Sequence, residues 1–158
     1  MENNHIPFLY KLNRIRPTYS NVVACYLMIL NYFNSDIELT KDVENKLYSE
    51  FKRKCTDGLY INNIINYAKR LKINAKVING WTREDIVEKA LLEHKVVLLG
   101  GISEGQPFER IVCGITKLRE FWILDSRLKY KEVYPSSLLK LLSLTADGRW
   151  CVVFSEMG

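Results

Sequence analysis

Nucleophilic or acid–base chemistry in this chain would fall first to its four cysteines and two histidines. Cys25, Cys55, Cys113 and Cys151 stand far apart and form no C-x-x-C pair, so neither a zinc site nor a redox dithiol is expected, and no metal or cofactor is assigned. Cys25, Cys113 and Cys151 sit inside apolar runs, where a free cysteine behaves as a small core hydrophobe unless something lowers its pKa. His94, between Glu93 and Lys95, reads as the C-terminal cap of a helix or a surface residue, and His5 lies in the first few residues. A nucleophile and its base must come within about 3 Å of each other. Ser20 is the remaining hydroxyl of interest, with Glu109 as a conceivable base, but a carboxylate in that role needs a strongly raised pKa.

The elements that would position these groups are legible from periodicity. Residues 21–33 (NVVACYLMILNYF) are apolar on nearly every face and follow Ser20 as N-cap, which describes a buried central helix. Residues 40–54 place Val43, Leu47 and Phe51 at spacings of four and predict a second, amphipathic helix. Asp57-Gly58 signals a turn, and Ile61, Ile64, Ile65, Ala68 and Leu71 then predict a third helix. A short alternating run over residues 75–78 leads to Asn79-Gly80, and Thr82 caps a further helix over 83–92. Four strands follow, over 96–99, 109–115, 120–124 and 151–154, with a short helix expected at 135–142. Helices first and strands afterwards imply an α+β fold with segregated halves.

The chain of 158 residues, 47% of them hydrophobic, suits one well-buried core and is too short for two ordinary domains, so residues 1–158 are taken as a single domain. The net charge of +5 comes from scattered clusters such as residues 52–54 and 69–70, which a solvated surface explains without a nucleic-acid partner. No stretch reaches the roughly 20 apolar residues that a membrane span needs. The opening residues lack the regions of a secretory signal, so a cytoplasmic protein without membrane insertion is expected.

Four stretches in this order resemble the papain-like bacteriocin-processing cysteine peptidases, the domains that accompany peptide-exporting ABC transporters. They are Ile6-Pro-Phe-Leu, residues 25–33, Asp57-Gly-Leu with the helix through residues 68–76, and the pair at 111–115 and 121–126. The resemblance implies a papain-like cysteine peptidase fold, with an N-terminal helical half followed by an antiparallel sheet half. It also implies a catalytic thiol at the N-terminus of the central helix, and laying the family's motif on Cys25 puts Asn21 there. Counting back six residues from Gly114 puts Phe108 at the histidine position, with Glu109 beside it. Asp125 matches the residue that orients the histidine, and Asn13 is the nearest amide to the oxyanion position, with Arg14 and Arg16 close by. A carboxamide is no nucleophile at neutral pH, and phenylalanine accepts no proton.

Such a degenerate member is expected to bind rather than cut. A groove between helices and sheet still offers apolar pockets and backbone groups to an extended peptide. Tyr19, Ser20, Asn21, Phe108, Glu109 and Asp125 are the candidates for that cleft; Trp81 and Trp122 could add aromatic walls, although core packing explains both more simply. The expected partner is a peptide or unfolded protein segment, in the setting of an ABC exporter or a peptide-maturation enzyme. Two alternatives stay open: an acyltransferase or amide hydrolase using Ser20 or Cys25, and an assembly partner whose interface includes Leu47, Tyr48 and Phe51.

Overall fold

A computed structural model describes residues 8–9, 12, 15, 21–54, 60–79, 84–103, 106–116, 118, 120–124, 133–136 and 147–156. Its helices are α1 (Asn21–Phe33), α2 (Lys41–Lys54), α3 (Tyr60–Arg70) and α4 (Glu84–Leu92). Its strands are β1 (Phe8–Leu9), β2 (Ile73–Asn79), β3 (Val96–Ser103), β4 (Gln106–Ile115), β5 (Phe121–Leu124), β6 (Val133–Ser136) and β7 (Asp147–Glu156). The strands form one seven-stranded antiparallel sheet in the order β2-β7-β3-β4-β5-β6, and β1 pairs with the end of β4. The protein is therefore α+β, with most of its helices preceding an antiparallel sheet.

Both faces of this sheet are covered. Alternate residues of the central strands feed two cores, as the period of two along a strand requires. Val96 and Leu98 of β3, Ile111 and Cys113 of β4, and Val152 and Phe154 of β7 pack under α1 with residues of α2 and α3. Val97, Leu99, Val112, Phe121, Ile123 and Cys151 pack on the other face with Val87, Ala90 and Leu91 of α4. This explains why residues 96–99 and 111–113 read as unbroken apolar runs rather than alternating ones.

Helix α1 is the centre of the first core. Every residue from Val22 to Asn31 is buried, so the helix has no solvent face and is held between the sheet and the α2–α3 pair. Tyr26 ties the two together: its ring lies 5.7 Å from Phe51 of α2 and 5.9 Å from Phe154 of β7, and its hydroxyl donates to the Ile64 carbonyl of α3 at 2.7 Å. Thr40 caps α2, its Oγ1 accepting from the Val43 amide at 3.2 Å.

The third and fourth helices end in the left-handed region, with Lys72 at φ 61° and His94 at φ 62°. After α4, the Lys95 amide donates to Ala90 O and the His94 amide to Leu91 O, a Schellman arrangement that makes His94 the residue just past the helix. His94 is thus the exposed C-terminal cap expected from its neighbours.

Several expectations need correction. Strand β2 lies between α3 and α4 in sequence yet joins the sheet as an edge beside β7, and α4 covers the opposite face from the other helices, so the halves are not fully segregated. Alternation over residues 75–78 carried the strand signal, whereas pairing with β7 extends it from Ile73 to Asn79. Pro135 and Ser136 belong to β6, paired with Trp122 and Phe121, so the helix expected at 135–142 does not begin there; its remaining residues lie outside those described. The proline is tolerated because β6 ends the sheet order. By contrast, Leu47 and Phe51 are core residues and Tyr48 is half-buried against the same core, as the apolar face of an amphipathic helix requires.

Burial pushes the Tyr26 hydroxyl far above the ordinary tyrosine range and the Cys151 thiol up from 9.0 to about 12. In the unfolded chain both groups ionise near their ordinary values. The stability they contribute is therefore complete below pH 9.0 and declines as pH rises toward 12. The urea midpoint is expected to fall steadily between those limits. Tyr26→Phe should cost about 1 kcal/mol at pH 7, from loss of the Ile64 bond, and should flatten the alkaline decline. Denaturant titrations of both proteins across this pH range measure the two effects, and an unchanged alkaline slope in the variant would contradict the account.

Candidate functional site

The direction of α1 across the sheet decides what its first residue can meet. Its last turn, at Tyr32 and Phe33, borders a cleft shared with Lys95, Ser155 and Glu156, so it lies beside the start of β3 and the end of β7. Its middle, at Tyr26, stacks on Phe154. The helix has thirteen residues and is about 18 Å long, the distance that roughly five or six strand residues span. Asn21 therefore begins α1 about one helix length from the cleft that His94 lines, and along β3 the end away from that cleft lies at Gly100 and beyond.

Strand register fixes the partners at that level. Gly100 pairs with Glu109 of β4 and with Trp150 of β7, and Gly101 pairs with Phe108. Position 100 continues the series of Val96 and Leu98 toward α1, whereas 101 continues that of Val97 and Leu99 toward α4. By pairing, the α1-facing strand position is 109 and the α4-facing one is 108. Residues 108 and 109 thus hold opposite register positions in β4. No acidic residue occupies the first turn of α1, so the positive end of its dipole is not neutralised from within the helix.

Trp150 is a feature of this end that the sequence reading missed. Its indole lies across Gly100, in the space a Cβ at that position would fill, and it packs against the α1-side core while remaining half-buried. The usable signal was the Gly100-Gly101 pair inside an apolar strand, since glycine in a strand often marks a close approach by another group. Trp122 is half-buried and packs against the same core, the simpler of the two readings of that residue.

A bulge shapes the neighbouring strand. Val112 pairs with Ile123 and Gly114 with Trp122, leaving Cys113 as the extra residue of β4. Its thiol donates to the Trp122 carbonyl at 3.5 Å. The extra residue shifts the alternation, so Ile115 joins the α4-side core although Cys113, two residues earlier, faces α1.

Cys25 lies one turn into α1 and is fully buried, which leaves no path for an acyl donor to its sulfur. Cys113 and Cys151 are buried as well, as core cysteines are expected to be. Asn13, Tyr19, Ser20, Cys55, Trp81 and Asp125 lie outside the described residues; Leu124, which precedes Asp125, pairs with Ile111 in the strand beside Glu109. His94 is the single histidine among the described residues, and it stands at the opposite end of α1 from Asn21. The register brings Phe108 and Glu109 to the end of β3 and β4 away from His94, and Asn21 begins α1 about a helix length from that histidine.

Two substitutions probe this geometry. Gly100→Ala should displace the Trp150 indole, lower stability by about 1–3 kcal/mol and shift tryptophan emission to the red, as read by urea unfolding and fluorescence. Stability equal to the parent protein would mean that the ring leaves Gly100 at no cost. A thiol introduced by Asn21→Cys, on a Cys55→Ser background, should react with iodoacetamide at pH 7 several-fold faster than glutathione, because a helix N-terminus favours the thiolate. Cys25, Cys113 and Cys151 should stay unlabelled until denaturant is added, and peptide mass mapping reads both results.

The chain matches no protein-family model and no curated protein, and the functional reading rests on the geometry of this sheet end.

Proposed function

We propose that this chain is a non-catalytic domain of papain-like fold, related to the bacteriocin-processing peptidases, that binds an extended peptide or unfolded protein segment. The binding cleft lies where α1 begins, beside Glu109 and Trp150. The observation that carries this reading is the separation of the groups a peptidase must combine. The first residue of α1 is a carboxamide, and the one described imidazole lies a full helix length away, about 18 Å. No thiol replaces the missing nucleophile among the described residues, because Cys25, Cys113 and Cys151 are all enclosed in the two cores.

What remains at this end suits binding. The positive end of α1 attracts a peptide carbonyl or carboxylate. The half-buried indole of Trp150 offers an apolar surface to a side chain, and Glu109 supplies a polar position in the next strand. The peptide or segment bound there would belong to an export or maturation system, the setting in which the resembling peptidases act, and the protein would work in the cytoplasm.

Calorimetric titration of the purified chain with leader-type peptides and an unfolded client is the test. Saturable binding is expected, with amide shifts centred on Asn21, Gly100, Glu109 and Trp150. Asn21→Arg and Glu109→Arg should each weaken it about tenfold, as substitutions at the centre of an interface do. Peptide cleavage or stable acyl labelling by the purified chain, or an absence of binding to every peptide offered, would overturn the proposal.

A further inference from the structure

The other end of α1 carries an open cleft of about 440 Å³, within the range of roughly 300–1,000 Å³ typical of small-molecule sites. Tyr32 and Phe33 form one wall; Glu93, His94 and Lys95 form another, and Glu156 closes the side. We propose that this cleft binds a small organic cation, an alkylammonium or guanidinium head on a short aliphatic stem.

Three independent features point to positive charge. Helix α1 terminates at the cleft, at Phe33, and directs the negative end of its dipole there. The last turn of α1 holds no basic residue, so no side chain of its own offsets that end. The cleft also has two carboxylates against one lysine, and that lysine is committed: Lys95 Nζ lies 3.0 Å from Glu93 Oε1. Glu156 forms no ion pair with another described residue, and its carboxylate acts together with burial to raise the Tyr32 hydroxyl above its ordinary pKa. The carboxylate and the aromatic ring therefore share one space.

The third feature is the ring itself. Tyr32 is one of only two large hydrophobic residues exposed among those described, at 38%. Phe33 meets it edge to face at 5.2 Å and holds its plane. A fixed aromatic face beside a carboxylate attracts a cation by its quadrupole and contacts an aliphatic stem by its surface. The net charge of +5 opposes approach at long range, but salt screens that field beyond about 8 Å, so the local groups decide. Because this cleft lies a helix length from Asn21, the inference stands whether or not the other end binds peptide.

Agmatine and n-butylammonium supply the head and stem, and butyramide, a neutral molecule of similar size, is the control. NMR titration of the intact chain should show saturable shifts of the Tyr32 ring and the His94 and Glu156 amides with both cations. Butyramide should bind about tenfold more weakly, and Glu156→Gln and Tyr32→Leu should each weaken agmatine binding about five- to tenfold. Asn21→Arg should leave it unchanged. A capped peptide with a single arginine serves as the second arm: tighter binding than agmatine marks a peptide side chain as the source of the cation, and weaker binding marks a free amine. Equal affinity for agmatine and butyramide, or wild-type affinity in Glu156→Gln, would overturn the proposal independently of any peptide result at the far cleft.

Discussion

A helix with no polar face can exist only where something encloses it, and this constraint organises the molecule. From Val22 to Asn31, α1 exposes almost nothing to water. Each fully buried Leu, Ile, Val or Met contributes about 1.5–3 kcal/mol, but only if the sheet lies on one side and other helices on the rest. The sheet supplies Val96, Leu98, Ile111, Val152 and Phe154; α2 and α3 supply Leu47, Phe51, Ile64 and Ala68. Tyr26 meets both groups, and its one polar atom is satisfied by the Ile64 carbonyl, so the centre of the core holds a hydroxyl without an orphaned donor. The aromatic contacts among Tyr26, Phe51, Tyr67 and Phe154 set how α1 lies over the sheet.

The second core follows from the first. Once β3 and β4 are central, their alternate residues emerge on the far face and need a cover, which α4 provides through Val87, Ala90 and Leu91. The bulge at Cys113 then becomes a structural device. It lets β4 present Cys113 to α1 and Ile115 to the α4 side within three residues, just where the strand end pairs with β1. At the other end of β4, Gly100 of β3 leaves room for Trp150. Both ends of the central strand pair are thus modified by local irregularity, while the middle stays regular.

Much of this was written in the sequence at the level of period and propensity. The four helices and the four principal strands follow from apolar spacing, because each is a long, strongly patterned segment. The role of His94 was legible too, since a residue between Glu93 and Lys95 at the end of a periodic run has few other uses. What escaped depends on contacts distant in sequence. Strand β2 looked like an appendage of the helical part because its partner, β7, lies some seventy residues later. Residues 135–136 looked helical because Leu138, Leu139, Leu141 and Leu142 follow, yet pairing with Phe121 and Trp122 overrides local preference. The face of residue 108 against 109 was also closed to sequence reading, because a one-residue change of register exchanges the two faces. Trp150 was missed for a similar reason: its meaning lies in Gly100, fifty residues earlier and one strand away.

The two ends of α1 give the molecule its chemical polarity. One end begins with a carboxamide and carries the positive pole of the helix; the other carries the negative pole toward Tyr32 and Glu156. Because the helix is buried along its length, neither pole is diluted by a flanking solvent face, and each is felt only where the helix emerges. A thiol placed at such a helix start would have its thiolate stabilised by that pole. Here no sulfur stands at the start of α1, and the same field attracts any carbonyl or carboxylate brought to it. The negative pole is subject to the same rule with the sign reversed, which is why a cleft that favours cations can persist on a chain whose net charge is +5.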